Sequence, residues 1–133
     1  MKRTVGFGLL LGIFLIWAFT LFAGASAWAG YVNNGNGTVN DTRTGLTWQQ
    51  SDDGQYRDWE DALAYCEGLS LGGHSDWRLP NVRELESIVD DNRYGPAIDP
   101  VFTCRSSHYW SSSTIADYPN YAWFVYFNYG NVY

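Results

Sequence analysis

Past Lys2 the chain holds no lysine, and over its whole length it has only two cysteines and two histidines. Each shortage removes a class of function. With Lys2 and Arg3 set aside, six arginines face fourteen acids, a formal charge of −8. A body that acidic repels polyanions, so nucleic acid is excluded as a partner. Cys66, Cys104, His74 and His108 are isolated from one another and show no ligand spacing of a known metal type. The pairs Asp52-Asp53 and Asp90-Asp91 lack the spacing of an EF-hand loop. No metal and no other cofactor is expected. Ser111 to Ser113 is not framed by a Gly-x-Ser-x-Gly elbow, and it reads as a hydroxyl ladder at a strand end. No catalytic residue stands out, and an enzyme is not expected. There is no internal repeat and no low-complexity linker.

What is present begins with an export signal. Lys2 and Arg3 precede an apolar run from Val5 to Phe19, and Ala27-Trp28-Ala29 supplies the small residues a signal peptidase reads. Residues 1–29 are therefore read as a signal peptide, and the product as periplasmic, cell-surface or secreted. An uncleaved anchor is the alternative, since the run approaches the ~20 residues that span a bilayer. A membrane is a partner only in that case. No cysteine lies near the cleavage point, so lipid modification is not supported.

Residues 30–133 make one small domain, able to bury roughly two thirds of its surface. Cys66 and Cys104 both fall within it, and an oxidising destination makes a disulfide between them the default. Such a bond would contribute about 3–4 kcal/mol through the unfolded state. Pairing of one cysteine with a group outside the chain is the other possibility.

The pattern begins with β structure, Tyr31-Val32, Thr38 to Asn40 and Leu46 to Trp48, separated by Asn/Gly turns. A helix is expected over Asp58–Glu67, with Asp58 as N-cap, an apolar stripe of Trp59, Ala62, Leu63 and Cys66, and Gly68 as its stop. A second helix is expected from Val82 to about Val89, opened by Asn81 and Glu84 as a capping box. A loop from Asp90 to Ser107 is anchored by Val101 and Phe102. Strands follow at Tyr109–Ser113 and Tyr121–Asn128, then a hairpin turn at Asn128 to Asn131. Strands and helices are segregated, which argues α+β with antiparallel sheets. The returning strand begins at Val132, and the final strand of the domain is expected to be missing.

The last sixteen residues, YPNYAWFVYFNYGNVY, are rich in Tyr, Asn and Trp. Tyr and Trp give large contact areas with few rotatable bonds, and Asn gives adaptable hydrogen bonding, the mixture binding loops use. The stretch points to recognition. Four tryptophans, Trp48, Trp59, Trp77 and Trp110, read as packing residues, and Arg78 reads as the partner of an acid such as Glu84 or Glu86.

Several motifs together carry a resemblance. They are Gly37-Thr38-Val39, Asp41, Thr44-Gly45-Leu46 and Trp48-Gln49, then Trp59, Ala62 and Tyr65-Cys66, then Asp76-Trp77-Arg78-Leu79-Pro80-Asn81 with Glu84-Leu85, and finally Tyr109-Trp110-Ser111-Ser112-Ser113 with Ala122-Trp123. This set resembles the Lcl C-terminal domain family, a bacterial domain of unknown function also found at the end of a collagen-like adhesin. The resemblance implies a C-type-lectin-like fold, two helices packed on small antiparallel sheets with a loop-rich ligand face. It also implies that Cys66 could bond a cysteine in a longer tail. The adhesin's binding of sulfated polysaccharide does not transfer, because the −8 charge opposes it.

The Asn/Tyr-rich end is similar to the variable region of proteins diversified by retroelements. That resemblance implies a frame of Ala122, Trp123, Val125, Phe127 and Gly130, and candidate contact residues Asn120, Tyr121, Tyr126, Asn128, Tyr129, Asn131 and Tyr133. An ordinary fixed binding surface is the alternative. The expected function is an exported, non-enzymatic ligand-binding or adhesion domain that meets a protein or glycan at the cell surface. The alternatives are an enzyme like the formylglycine-generating oxidases, or an inactive truncated copy.

Overall fold

The structure, a computed structural model, describes residues 30–133, and the expected signal segment lies outside the described residues. Among the described residues the chain builds two three-stranded antiparallel sheets with two helices between them in sequence. Strands β1 (Tyr31–Asn33), β2 (Thr38–Asp41) and β3 (Thr47–Gln49) pair in the order β1-β2-β3. Helices α1 (Trp59–Gly68) and α2 (Val82–Glu86) follow. Strands β4 (His108–Ile115), β5 (Tyr118–Tyr126) and β6 (Asn131–Val132) form the second sheet in the order β4-β5-β6. The α+β class and its two small sheets are those expected.

The helices start where their caps say they should. Asp58 accepts from the Asp61 amide, and Asn81 and Glu84 close a reciprocal capping box. Their ends differ from expectation. Gly68 is the last residue of α1, and the amide of Leu69, one position on, closes the turn onto the Cys66 carbonyl. Helix α2 stops at Glu86, short of Val89, because the Ser87 hydroxyl bonds back to the Glu84 carbonyl at 2.6 Å and the next amides make tighter turns.

Strand β5 also starts earlier than its composition suggests. A two-residue turn at Ala116-Asp117 returns the chain directly into Tyr118, and Pro119 is absorbed where the β4–β5 register shifts. A bulged ladder tolerates a residue with no amide hydrogen.

The core lies between the sheets. Val39 from the first, Val125 from the second and Phe127 from the turn after β5 meet Leu85 and Ile88 around α2, with Ile98 and Phe102 from the long loop. Phe102 is a buried anchor as expected, and Val101 packs at the margin. Two polar ties lock the layers. Asp41, buried in β2, accepts from the backbone amide of Arg43 at 2.9 Å and from its Nε at 3.1 Å. The same guanidinium donates to the Ser87 carbonyl at 3.2 Å, joining the first sheet to the end of α2. On the other side, the Ser111 hydroxyl donates to the Trp123 carbonyl at 2.7 Å and the Ser113 hydroxyl accepts the Val82 amide at 3.0 Å. The serine run thus satisfies backbone groups at a helix start and a strand crossing.

Beside this core lies a cavity of about 510 Å³, bounded by β3, α1, the segment before α2, and β4. It opens to the surface past exposed Gln55, Tyr56 and Arg105, so solvent enters it. No helix among the described residues is long and apolar enough to cross a membrane.

Candidate functional site: the outer face of the second sheet

Side chains alternate across a strand, so β4 and β5 each show one set inward and the other outward. On the inner side Tyr109 of β4 opposes Val125 of β5 and meets Phe127 edge-on at 5.4 Å, and Ser111, two residues along β4, is buried. The outer side of the same ladder pairs His108 with Tyr126 and Trp110 with Phe124.

These outer rings touch in sequence. Trp110 meets Phe124 edge-on at 5.6 Å, and Phe124 meets His108 edge-on at 5.1 Å. His108 stacks on Tyr126 at 4.3 Å and 13°, and Tyr126 meets Tyr129 edge-on at 5.8 Å. Tyr133, paired to Phe124 by two backbone bonds of 2.9 Å, stacks on that ring at 5.7 Å. Asn131 donates to the Tyr133 hydroxyl at 3.1 Å. The row therefore presents rings, hydroxyls and an amide, and none of these side chains is a carboxylate or a guanidinium. Ring pairs at these separations contribute about 0.5–1.5 kcal/mol each beyond area burial, so the row is ordered before any ligand arrives.

Of the seven residues singled out from the sequence, the fold gathers Tyr126, Tyr129, Asn131 and Tyr133 into this row. Asn120 and Tyr121 stand exposed at the far end of β5, where Tyr121 packs edge-on against Tyr118 at 6.0 Å. Asn128 is half buried at the other end, and its carbonyl accepts the Gly95 amide at 3.0 Å. Tyr121, Tyr129 and Tyr133 are 64%, 62% and 52% exposed, whereas Val125 and Phe127 are buried. Trp123, read as frame, is instead 37% exposed.

Three members of the row were missed by sequence reasoning. From the sequence Trp110 reads as a packing residue, and His108 and Phe124 are not among the candidate contact residues. The signal that finds them is the two-residue period of β4, in which His108 and Trp110 flank Tyr109 and alternate with the buried Ser111.

Three of the four indoles read as packing residues bond a carbonyl: Trp59 that of Ser111, Trp110 that of Arg57, and Trp77 those of Leu71 and His74. Arg78 makes the expected ion pair, holding Glu84 with two bonds of 2.8 and 2.7 Å.

The expected Cys66–Cys104 disulfide is not formed. Both cysteines are free and half buried, and both line the 510 Å³ cavity. Burial pushes the Cys66 thiol up from its ordinary range. Burial, with the nearby Asp52 carboxylate, pushes Cys104 up to about 11. Both remain thiols at neutral pH. Asp52 is already engaged by the Tyr109 hydroxyl and the amides of Gly54 and Arg105. Among the described residues, no group of three or more His, Cys, Asp or Glu side chains could hold a metal ion.

Fold and face together define an α+β domain that presents an aromatic sheet surface. The Lcl C-terminal domain model matches residues 37–133, and the chain belongs to that family. A search of curated proteins found no match, and a search of solved structures found none either.

Proposed function

We propose that this chain is an exported, non-enzymatic recognition domain of lectin-like type, whose β4–β5–β6 face binds a protein or glycan ligand at the cell surface in an adhesive role. The observation that carries this reading is the continuous row from Trp110 to Tyr129, flanked by exposed Tyr121 and Tyr133 and set on a buried frame of Val125 and Phe127. Aromatic anchors with adjustable amide bonding are the residues that dominate binding energy at interfaces. The same arrangement suits a retroelement-diversified protein, because Asn120, Tyr121, Tyr129 and Asn131 can change with little effect on the core.

The oxidase reading needs reactive thiolates, and the raised pKa values of Cys66 and Cys104 oppose it. The −8 charge of residues 30–133 favours neutral or basic ligands over polyanions.

The test is binding of the purified chain to an array of neutral glycans and to a display library of peptides and protein domains. Specific binding that is lost in Tyr129→Ser and Tyr133→Ser supports the proposal. Binding that survives both changes, or no binding on either platform, counts against it.

A further inference from the structure

The cavity beside the core carries a charge that the fold leaves open. Three arginines border it. Arg57 is paired with Asp53, and Arg78 with Glu84. The Arg105 guanidinium makes no ion pair and no hydrogen bond among the described residues, yet it is held in place. The Arg105 amide donates to the Asp52 carboxylate and to the Tyr109 hydroxyl, both at 2.9 Å, and the guanidinium lies 5.3 Å from the centre of the Tyr56 ring. Gly54 makes room for it, since a Cβ there would lie 2.7 Å from Nη2. An arginine stacked on a ring and left without a counter-charge presents its planar fork of donors to a ligand.

The acids of the wall do not answer that charge. Asp53 and Glu84 are taken by Arg57 and Arg78, and Asp52 accepts from the Tyr109 hydroxyl and from two amides. The Asp76 side chain is 91% exposed beside His74. These acids restrict a ligand to one negative group, since a polyanion would meet them. Apolar surface lies close to the same lip. Arg57 sits 4.1 Å from the centre of the Tyr65 ring, and its carbonyl accepts the Trp110 indole N–H at 3.1 Å. Tyr65 and Trp110 are half buried, as are Leu69, Leu79 and Trp77 of the wall, so each keeps surface to offer. The Trp48 indole N–H, buried without a partner among the described residues, is enclosed by the fold and offers nothing to a ligand. The volume of about 510 Å³ falls among those of small-molecule sites.

We propose that this cavity binds a small molecule with a flat apolar or aromatic body and one carboxylate, the body lying against Tyr65 and Trp110 and the carboxylate taking the Arg105 guanidinium. His108 and Trp110 border the cavity and also belong to the aromatic row, so the two sites adjoin. The proposal does not rest on the row binding a protein or glycan. Tyr129 and Tyr133 belong to the row and do not border the cavity, so the two readings fail separately.

The test titrates the purified chain with 2-naphthoate and with 2-naphthamide, which share a ring system and differ in charge, by calorimetry. NMR then locates the bound ring. Saturable one-to-one binding is expected, with naphthoate the tighter. Arg105→Gln should weaken naphthoate about fivefold and leave naphthamide unaltered. Arg83→Gln, which removes an exposed arginine that does not border the cavity, should change neither. Nuclear Overhauser contacts from the naphthyl ring should reach Tyr65 and Trp110. If Arg105→Gln fails to fold, the preference of the unaltered chain for acid over amide carries the same information. The proposal is overturned by absence of saturable naphthoate binding, by equal affinity for acid and amide, or by unchanged naphthoate affinity in Arg105→Gln. An equal loss in Arg83→Gln, or ring contacts confined to Tyr129 and Tyr133, overturns it as well. None of these results bears on glycan or protein binding by the row, which Tyr129→Ser and Tyr133→Ser decide.

Discussion

Gly130 sits against Val89 so closely that a Cβ on the glycine would lie 2.4 Å from the valine Cγ1. Its φ is +80°, a left-handed conformation that side chains rarely adopt. The turn that carries Tyr129 and Asn131 is thereby pressed onto the loop after α2. The exposed face and the interior meet at this contact.

Gly130→Ala should therefore cost about 2–3 kcal/mol, combining the backbone penalty with overpacking against a stiff β-branched side chain. Urea unfolding of the purified chain measures it. A loss under about 0.5 kcal/mol would mean that the turn is free to move away from Val89.

Residues of the face and of the frame should separate cleanly in mutation. Phe127→Ala should remove about 3–5 kcal/mol of stability, because the ring is buried at the centre of the core. Tyr121→Ser and Tyr129→Ser should each cost no more than about 0.5–1.5 kcal/mol, the worth of the one ring pair each makes, since both rings are mostly exposed. Their effect should appear in ligand affinity, at about 2 kcal/mol or more for a true anchor.

Acid should weaken the loop between β3 and α1. Bonds from Arg57 draw Asp53 down to about 2 from its ordinary 3.8. A lowered folded-state value means that the pair's contribution is complete above about pH 4 and fades as the pH falls towards 2. The pair is partly exposed, so its contribution is about 0.2–1 kcal/mol. Denaturation midpoints of the unaltered chain and Arg57→Gln should differ at pH 5 and converge near pH 2. A constant difference across that range would assign the effect to packing of Arg57 on Tyr65, 4.1 Å from the ring centre, and not to charge.

The thiols should be present and slow. Chain denatured without reductant should take up two equivalents of iodoacetamide, and the folded chain at pH 8 should react far more slowly. The cause is burial, which keeps Cys66 and Cys104 protonated and shields them. No uptake in denaturant would restore the disulfide.

Local rules were readable at particular residues. Asp58, Asn81 and Glu84 announce helix starts because caps act over three residues and need nothing distant. The Arg78–Glu84 pair was legible for the same reason, as the partners are six residues apart and the capping box fixes one of them. The motifs from Gly37 to Trp123 carried the family.

The face itself was not legible. That His108 stacks on Tyr126, or that Phe124 lies under Tyr133, depends on the register of β4 against β5 and of β5 against the returning strand. A shift of one residue would turn each of these rings to the other side. The register is set by contacts remote in sequence, among them Ser111 on Trp123 and Gly130 on Val89. The cavity, its two thiols and the unpaired Trp48 indole belong to the same class. The amino-acid order by itself determined the helix starts, the α+β class and the family, because those follow from short-range spacing and composition. Only the tertiary structure decided which aromatic residues share a surface and which groups are left without a partner, because both are properties of how separated segments pack.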